Sequence, residues 1–207
     1  MKSFLLGLIL GLAALPIAAY VYLKAGHPPV ATADRPFPLE RQFVRAPLHA
    51  RIQAEMPQGV PIQPTDANLE AGARIYHDRC AVCHGFYGHP SSFAKYMYPH
   101  APQLWERHHR NKAVGVSDDP PGETWWKVNN GIRLTGMPAF DKILNSTQIW
   151  QVSLLLSRAD RPLPPDVLNL LREAPVLNPT ALVPSPKTAG TPRKTATLQP
   201  MPAPGQD

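Results

Sequence analysis

Apolar positions recur at helical spacing in three stretches of this chain, and a fourth stretch is apolar on every side. The fourth comes first: Phe4 to Leu23 runs without a charge between Lys2 and Lys24, and roughly twenty such residues is the length that crosses a bilayer. From Asp66, the residues Leu69, Ala73, Tyr76 and Cys80 fall on one helical face, with Thr65 or Asp66 placed to cap it and Glu70 favourable in its first turn. A helix from Pro121 or Gly122 to Asn130 is started by proline and Glu123 and stopped by Asn130-Gly131. Trp125 and Val128 would face its core side, and Trp126 would face water or pack elsewhere. Asn145 with Gln148 makes a capping box for a last helix, in which Ile149, Trp150, Val152, Leu154, Leu155 and Leu156 supply the apolar face, ending before Pro162.

Between and beyond these helices the text is irregular. Prolines punctuate 26–62, as in His27-Pro28-Pro29 and Arg35-Pro36-Phe37-Pro38; such text prefers extended geometry and reads as a spacer, with a short helical stretch around Pro47 to Glu55. The far end, rich in Pro, Ala and Thr without periodicity, reads as mostly disordered. The expected order is therefore a transmembrane anchor or signal segment over 1–25, the spacer over 26–62, a compact domain over 63–163 and a tail over 164–207. An uncleaved anchor is favoured, because Ala31-Thr32-Ala33, the clear small-x-small site, lies well past the apolar run. Lys2 is opposed by Lys24, Arg35 and Arg41, so the positive residues do not settle orientation. A formal charge of +6 could suggest nucleic acid, yet the basic residues are scattered singly and form no run; nucleic-acid binding is set aside.

The chemistry is concentrated in Cys80-Ala81-Val82-Cys83-His84, which contains both cysteines of the chain. C-x-x-C-H attaches a c-type haem: two thiols one turn apart reach the two vinyl groups of one porphyrin, and the adjacent imidazole turns to the iron. One covalent haem follows. A zinc site would need a second pair of soft ligands, and a thioredoxin-like pair would need a surrounding βαβ pattern; neither is present in the sequence. The sixth iron position then needs a ligand. Met137, in Gly131-Ile132-Arg133-Leu134-Thr135-Gly136-Met137-Pro138-Ala139-Phe140, stands 53 positions after His84 in a loop whose flanking glycine and proline suit an extended path. Its thioether would favour ferrous iron and raise the potential. Met97 and the histidines at 89, 100, 108 and 109 are rival ligands, and bis-histidine ligation would lower the potential.

With these two motifs in this order, the chain resembles the class I monohaem cytochrome c family over about half its length. The resemblance implies an all-α haem domain in which the first helix crosses the last through a small residue and an aromatic four apart, matched by Gly72 and Tyr76, with Trp150 as the aromatic partner. It implies that Ala101-Pro102-Gln103-Leu104 stands where the family has Gly-Pro-x-Leu, so that the Pro102 carbonyl accepts from the imidazole of His84; Ala101 departs from the family glycine. It places Trp125, Asn129, Asn130 and Arg133 where haem propionates are held. It implies an electron carrier rather than an enzyme, exchanging electrons with periplasmic or membrane redox proteins in a respiratory chain, anchored in the bacterial inner membrane with its haem in the periplasm. A haem subunit of a larger oxidoreductase complex, or an open-site gas-binding or peroxidatic protein, are the alternatives. His108-His109 between two arginines reads as a wetted face, and no Ser/His/Asp set or phosphate-cradling loop stands out.

Overall fold

Two backbones meet at Gly72, and the packed domain is arranged around that crossing. In the computed structural model, which describes residues 2–108 and 113–174, the helices are α1 (Lys2–Ala25), α2 (Glu40–Glu55), α3 (Asp66–Arg79), α4 (Ala81–His84), α5 (Pro121–Asn130), α6 (Ser146–Leu156) and α7 (Pro165–Arg172). A single 3-10 turn covers Ala94–Tyr96, and among the described residues the only β pairing is two isolated bridges, Phe86 with His89 and Arg107 with Val114. The molecule is all-α.

The ends of α3 and α6 are set as the sequence reads. The Thr65 hydroxyl accepts from Asn68 N at 3.3 Å, and Asn145 and Gln148 close a reciprocal capping box at 3.0 and 2.9 Å. The two helices cross so closely that a Cβ on Gly72 would strike the Gln151 carbonyl and lie 3.2 Å from Leu155 Cβ. Gln151 donates to Asn68 at 3.0 Å across the same crossing. Tyr76, Ile149, Val152 and Leu155 are fully buried around it, and each such apolar side chain contributes about 1.5–3 kcal/mol of transfer free energy. Tyr76 meets Trp105 edge-on at 5.6 Å, while Trp150 stacks on Trp125 at 5.7 Å. The ring that Trp150 stacks on is thus Trp125 of α5, while Tyr76 of α3 pairs with Trp105.

Two boundaries move. The domain does not stop at 163: α7 packs against α3 with Val167 and Leu171 both 1% exposed, and the Leu171 carbonyl accepts from Tyr87 N at 2.9 Å. Within 26–62 the short helical stretch expected around Pro47 to Glu55 is present and longer, beginning at Glu40. The sixteen residues of α2 form a helix in spite of Pro47, and its last turns dock on α5: Ile52 is 2% exposed, Trp126 Nε1 donates to Glu55 Oε2 at 3.0 Å, and Gly122 leaves room for the Pro57 carbonyl. Trp126 is therefore covered by the supposed spacer rather than by water. The expected disordered part of the tail, 175–207, lies outside the described residues. At the other end, α1 is a single helix long and apolar enough to cross a membrane, with mean hydropathy 2.3.

Candidate functional site

The first half of the site is built where α3 gives way to α4. Cys80 caps the end of α3 and starts α4, and Cys83 N and His84 N both return to the Cys80 carbonyl at 3.1 and 2.9 Å. Gly85 ends the turn with φ 75°, and a Cβ there would lie 2.6 Å from Gln103 Oε1 and 2.8 Å from the His89 carbonyl, so this position is held to glycine by both conformation and space. The two cysteines form no disulfide with each other and are half-buried. Burial, then the neighbouring Cys83, pushes the Cys80 thiol up to about 12, with Arg79 opposing; burial also raises Cys83. These are neutral thiols, unlike the depressed thiolates of redox and nucleophilic cysteines.

His84 is fixed by its neighbour in the 101–104 segment. Its Nδ1 lies 2.8 Å from the Pro102 carbonyl. A carbonyl only accepts, so Nδ1 carries the proton and Nε2 keeps a lone pair for a metal. Burial lowers the imidazole pKa, with the Pro102 contact opposing; the neutral, metal-binding form is the favoured one. Ala101 in place of the family glycine does not disturb this contact. Around it runs a network that sequence reasoning missed: Gln103 Nε2 donates to the Ala101 and Cys83 carbonyls at 3.0 and 3.3 Å, while its Oε1 accepts from Ser91 N at 2.6 Å. Tyr76 Oη donates to the Gly85 carbonyl at 2.6 Å, and Leu104 N returns to the His84 carbonyl at 3.1 Å. Gln103 and Tyr76 together lock the motif loop from both sides.

The second half is the Met137 loop. Gly131, at φ 65°, ends α5 and lies so near the returning chain that a Cβ would sit 2.6 Å from Ala139 N. Ile132 N donates to the Met137 carbonyl at 3.2 Å, Thr135 Oγ1 donates to the Ile132 carbonyl at 2.7 Å and accepts from Met137 N at 3.1 Å, and Phe140 N bonds back to Val128 O at 3.0 Å. The thioether is thus carried on a tight, hydrogen-bonded hairpin, half-buried and packed against the core. Of the rival ligands, Met97 is brought to the same loop, where a Cβ on Gly136 would meet its terminal methyl. His89, His100 and His108 are exposed, and His109 lies outside the described residues.

Trp125 and Arg133 differ in burial. The Trp125 indole is stacked on Trp150, and its Nε1 is buried with no hydrogen-bond partner. A buried N–H without a partner costs about 1–3 kcal/mol, so this atom suits an acceptor such as a carboxylate. Arg133 is exposed and makes no ion pair among the described residues. Asn130 turns its amide back on the Trp126 carbonyl at 3.0 Å and Asn129 donates to Asn130 at 3.3 Å.

The set as a whole fits a covalently attached haem: two thiols within one turn, an imidazole with Nε2 left free by Pro102, a thioether on a rigid loop and an orphan indole N–H. It does not fit zinc, since no cluster of three or more His, Cys, Asp or Glu capable of holding a metal occurs among the described residues. In comparison with known proteins, residues 67–154 match the family described as Cytochrome C oxidase, cbb3-type, subunit III. No curated protein and no solved structure matches. The matched stretch starts in the first turn of α3 and ends in α6, so it contains every site residue described above and excludes α1, α2 and α7.

Proposed function

Since residues 67–154 are a c-type cytochrome domain, with haem c bound covalently and electron transfer as its chemistry, we propose that this chain is a membrane-anchored monohaem electron carrier with His84 and Met137 as axial ligands, acting in a respiratory chain and catalysing no reaction of its own. The observation that carries this reading is the 2.8 Å contact of His84 Nδ1 with the Pro102 carbonyl, which orients the ring and strengthens Nε2 as a donor. The haem supplies the ferric and ferrous couple. Cys80 and Cys83 would hold it by thioether bonds, and the His84 imidazole and the Met137 thioether would be its protein ligands, the sulfur favouring a raised potential. Trp125 Nε1 would donate to a propionate. With both ligands supplied by the protein, no site would be left for substrate oxygen, and the chemistry the haem would supply is electron exchange with a partner protein.

The anchor is α1, with the haem domain on the periplasmic side of a bacterial inner membrane and donor and acceptor among periplasmic or membrane redox proteins. The test is carbon monoxide. Ferrous wild-type protein should bind it poorly and Met137→Ala readily; ready binding by the wild type would identify an open-site haem protein instead.

A second reading, a haem subunit held permanently in an oxidoreductase complex, is favoured by the docking of α2 on α5. That contact leaves only 26–39 between α1 and the docked body, a reach of at most roughly 50 Å. Extraction in mild detergent at high salt distinguishes the two: a carrier elutes alone, and a subunit elutes with its complex.

A further inference from the structure

The segment between α1 and α2 folds back on the end of α1. Gly26 N closes on the Tyr22 carbonyl at 2.8 Å, and the Asp34 carboxylate accepts from Val30 N and Ala31 N, both at 2.8 Å. The Phe37 ring then meets the Tyr22 ring edge-on with centroids 6.0 Å apart. Phe37 N donates to Glu40 Oε2 at 2.8 Å, which starts α2 three residues later. If α1 spans the bilayer, Tyr22, two residues before Lys24, lies at the water boundary, where tyrosine settles. Phe37 touches it and so lies at the same depth, and the first turn of α2 is brought there with it.

What this short stretch exposes has two characters. Phe37, Leu39 and Phe43 are 48%, 59% and 72% exposed. Lys24, Arg35, Arg41 and Arg45 are exposed as well and make no ion pair among the described residues. The two carboxylates nearby, Asp34 and Glu40, are already engaged by backbone N–H groups. Apolar side chains beside unpaired cations are the composition that enters a headgroup layer and attracts anionic lipid.

We infer that this is a lipid-docking surface: Phe37, Leu39 and Phe43 enter the boundary of the bilayer, and Lys24, Arg35, Arg41 and Arg45 lie against the phosphates of anionic lipids. The inference rests on α1 being a membrane span. Its consequence comes from the other end of α2, where Ile52 and the Glu55–Trp126 hydrogen bond fasten the helix to α5. The lipid contact therefore fixes how the haem domain sits on the membrane, presenting one chosen edge to its partners.

The experiment uses the full holo-protein in nanodiscs of phosphatidylcholine, with and without phosphatidylglycerol. A nitroxide is placed through Ala46→Cys, one turn beyond Phe43, and a reference nitroxide through Lys142→Cys; collision with a water-soluble nickel chelate is measured for each. In discs containing phosphatidylglycerol the label at 46 should be shielded several-fold relative to the reference. Phe43→Asp should abolish the shielding, and each of Arg41→Gln and Arg45→Gln should shift the docked-to-lifted ratio by about fivefold. Disc-bound protein whose label at 46 is as accessible as the reference overturns the inference. Equal shielding in pure phosphatidylcholine overturns the role of anionic lipid. Protein that does not elute with the discs at all refutes the anchor instead.

Discussion

Replacing Gly72 by alanine decides whether the α3–α6 crossing is as close as the geometry demands. In a helix with free space at that position the substitution stabilises by about 1 kcal/mol, because alanine restricts the unfolded backbone and glycine does not. Here the added Cβ would meet the Gln151 carbonyl oxygen, lie 2.8 Å from its carbon and 3.2 Å from Leu155 Cβ. A backbone carbonyl inside α6 cannot rotate aside, so the helices must part. Overpacking of this kind typically costs about 1–3 kcal/mol, which outweighs the propensity gain or at least cancels it. We expect Gly72→Ala to lose up to about 2 kcal/mol net and to gain nothing, and Gly72→Val to lose more. The assay is guanidinium unfolding followed by haem absorbance and tryptophan fluorescence, with the exposed Arg74→Ala as a reference expected within about 0.5 kcal/mol of wild type. The midpoint should fall with the slope unchanged. If Gly72→Ala proved more stable than wild type, the close crossing would be refuted, and with it the packing that positions Cys80.

Three further outcomes follow from particular contacts. Gln103→Leu leaves Ser91 N and the Ala101 and Cys83 carbonyls without their partner and should cost at least about 2 kcal/mol; an unchanged thermal midpoint would show that water replaces the amide. Trp126→Phe removes the bond to the half-exposed Glu55, worth about 0.5–1.5 kcal/mol, and should speed proteolytic cleavage within 57–64; cleavage at the wild-type rate would mean that α2 is held by Ile52 alone. Burial raises the Asp119 carboxyl, helped by Glu123 and Asp118 and opposed by Lys127. The unfolded chain therefore releases this proton first, and folding stability falls as pH rises from the ordinary carboxylate value through the raised one. Asp119→Asn should flatten that fall in a series of thermal midpoints against pH, whereas a slope identical to wild type would contradict the assignment.

Helices whose ends carry chemical punctuation were legible in the sequence. Thr65, the Asn145–Gln148 box, Pro121 and Gly131 each act within one turn of chain, and α3, α5 and α6 lie where these residues put them. Elements held by tertiary contact were legible only in part, as in α2, of which the sequence marked the stretch from Pro47 to Glu55, or not at all. Pro47 and the arginines of α2 conceal the stripe that ends at Ile52, and the helix is tied down by Glu55 meeting Trp126, some seventy residues away. In α7 the Val167 and Leu171 pair is an apolar repeat of a single period, too short to stand out among prolines without α3 beneath it. The site divides in the same way. Cys80, Cys83, His84 and Met137 are marked by local motif, and Pro102 lies where the family resemblance puts it, at 2.8 Å from the ring. Gln103 and Ser91 touch across twelve residues and carry no local signature. The stacking of Trp150 on Trp125 was not legible, because periodicity gives the face of a helix and not what lies opposite it.

The ferric absorption spectrum in the far red tests the proposed ligation most directly, since an iron–thioether bond there gives a weak charge-transfer band that nitrogen ligands do not. Wild type and Met97→Leu should both show the band, and Met137→Ala should lose it. Its absence from the wild type, or its survival in Met137→Ala with loss in Met97→Leu, would take the sixth position away from Met137.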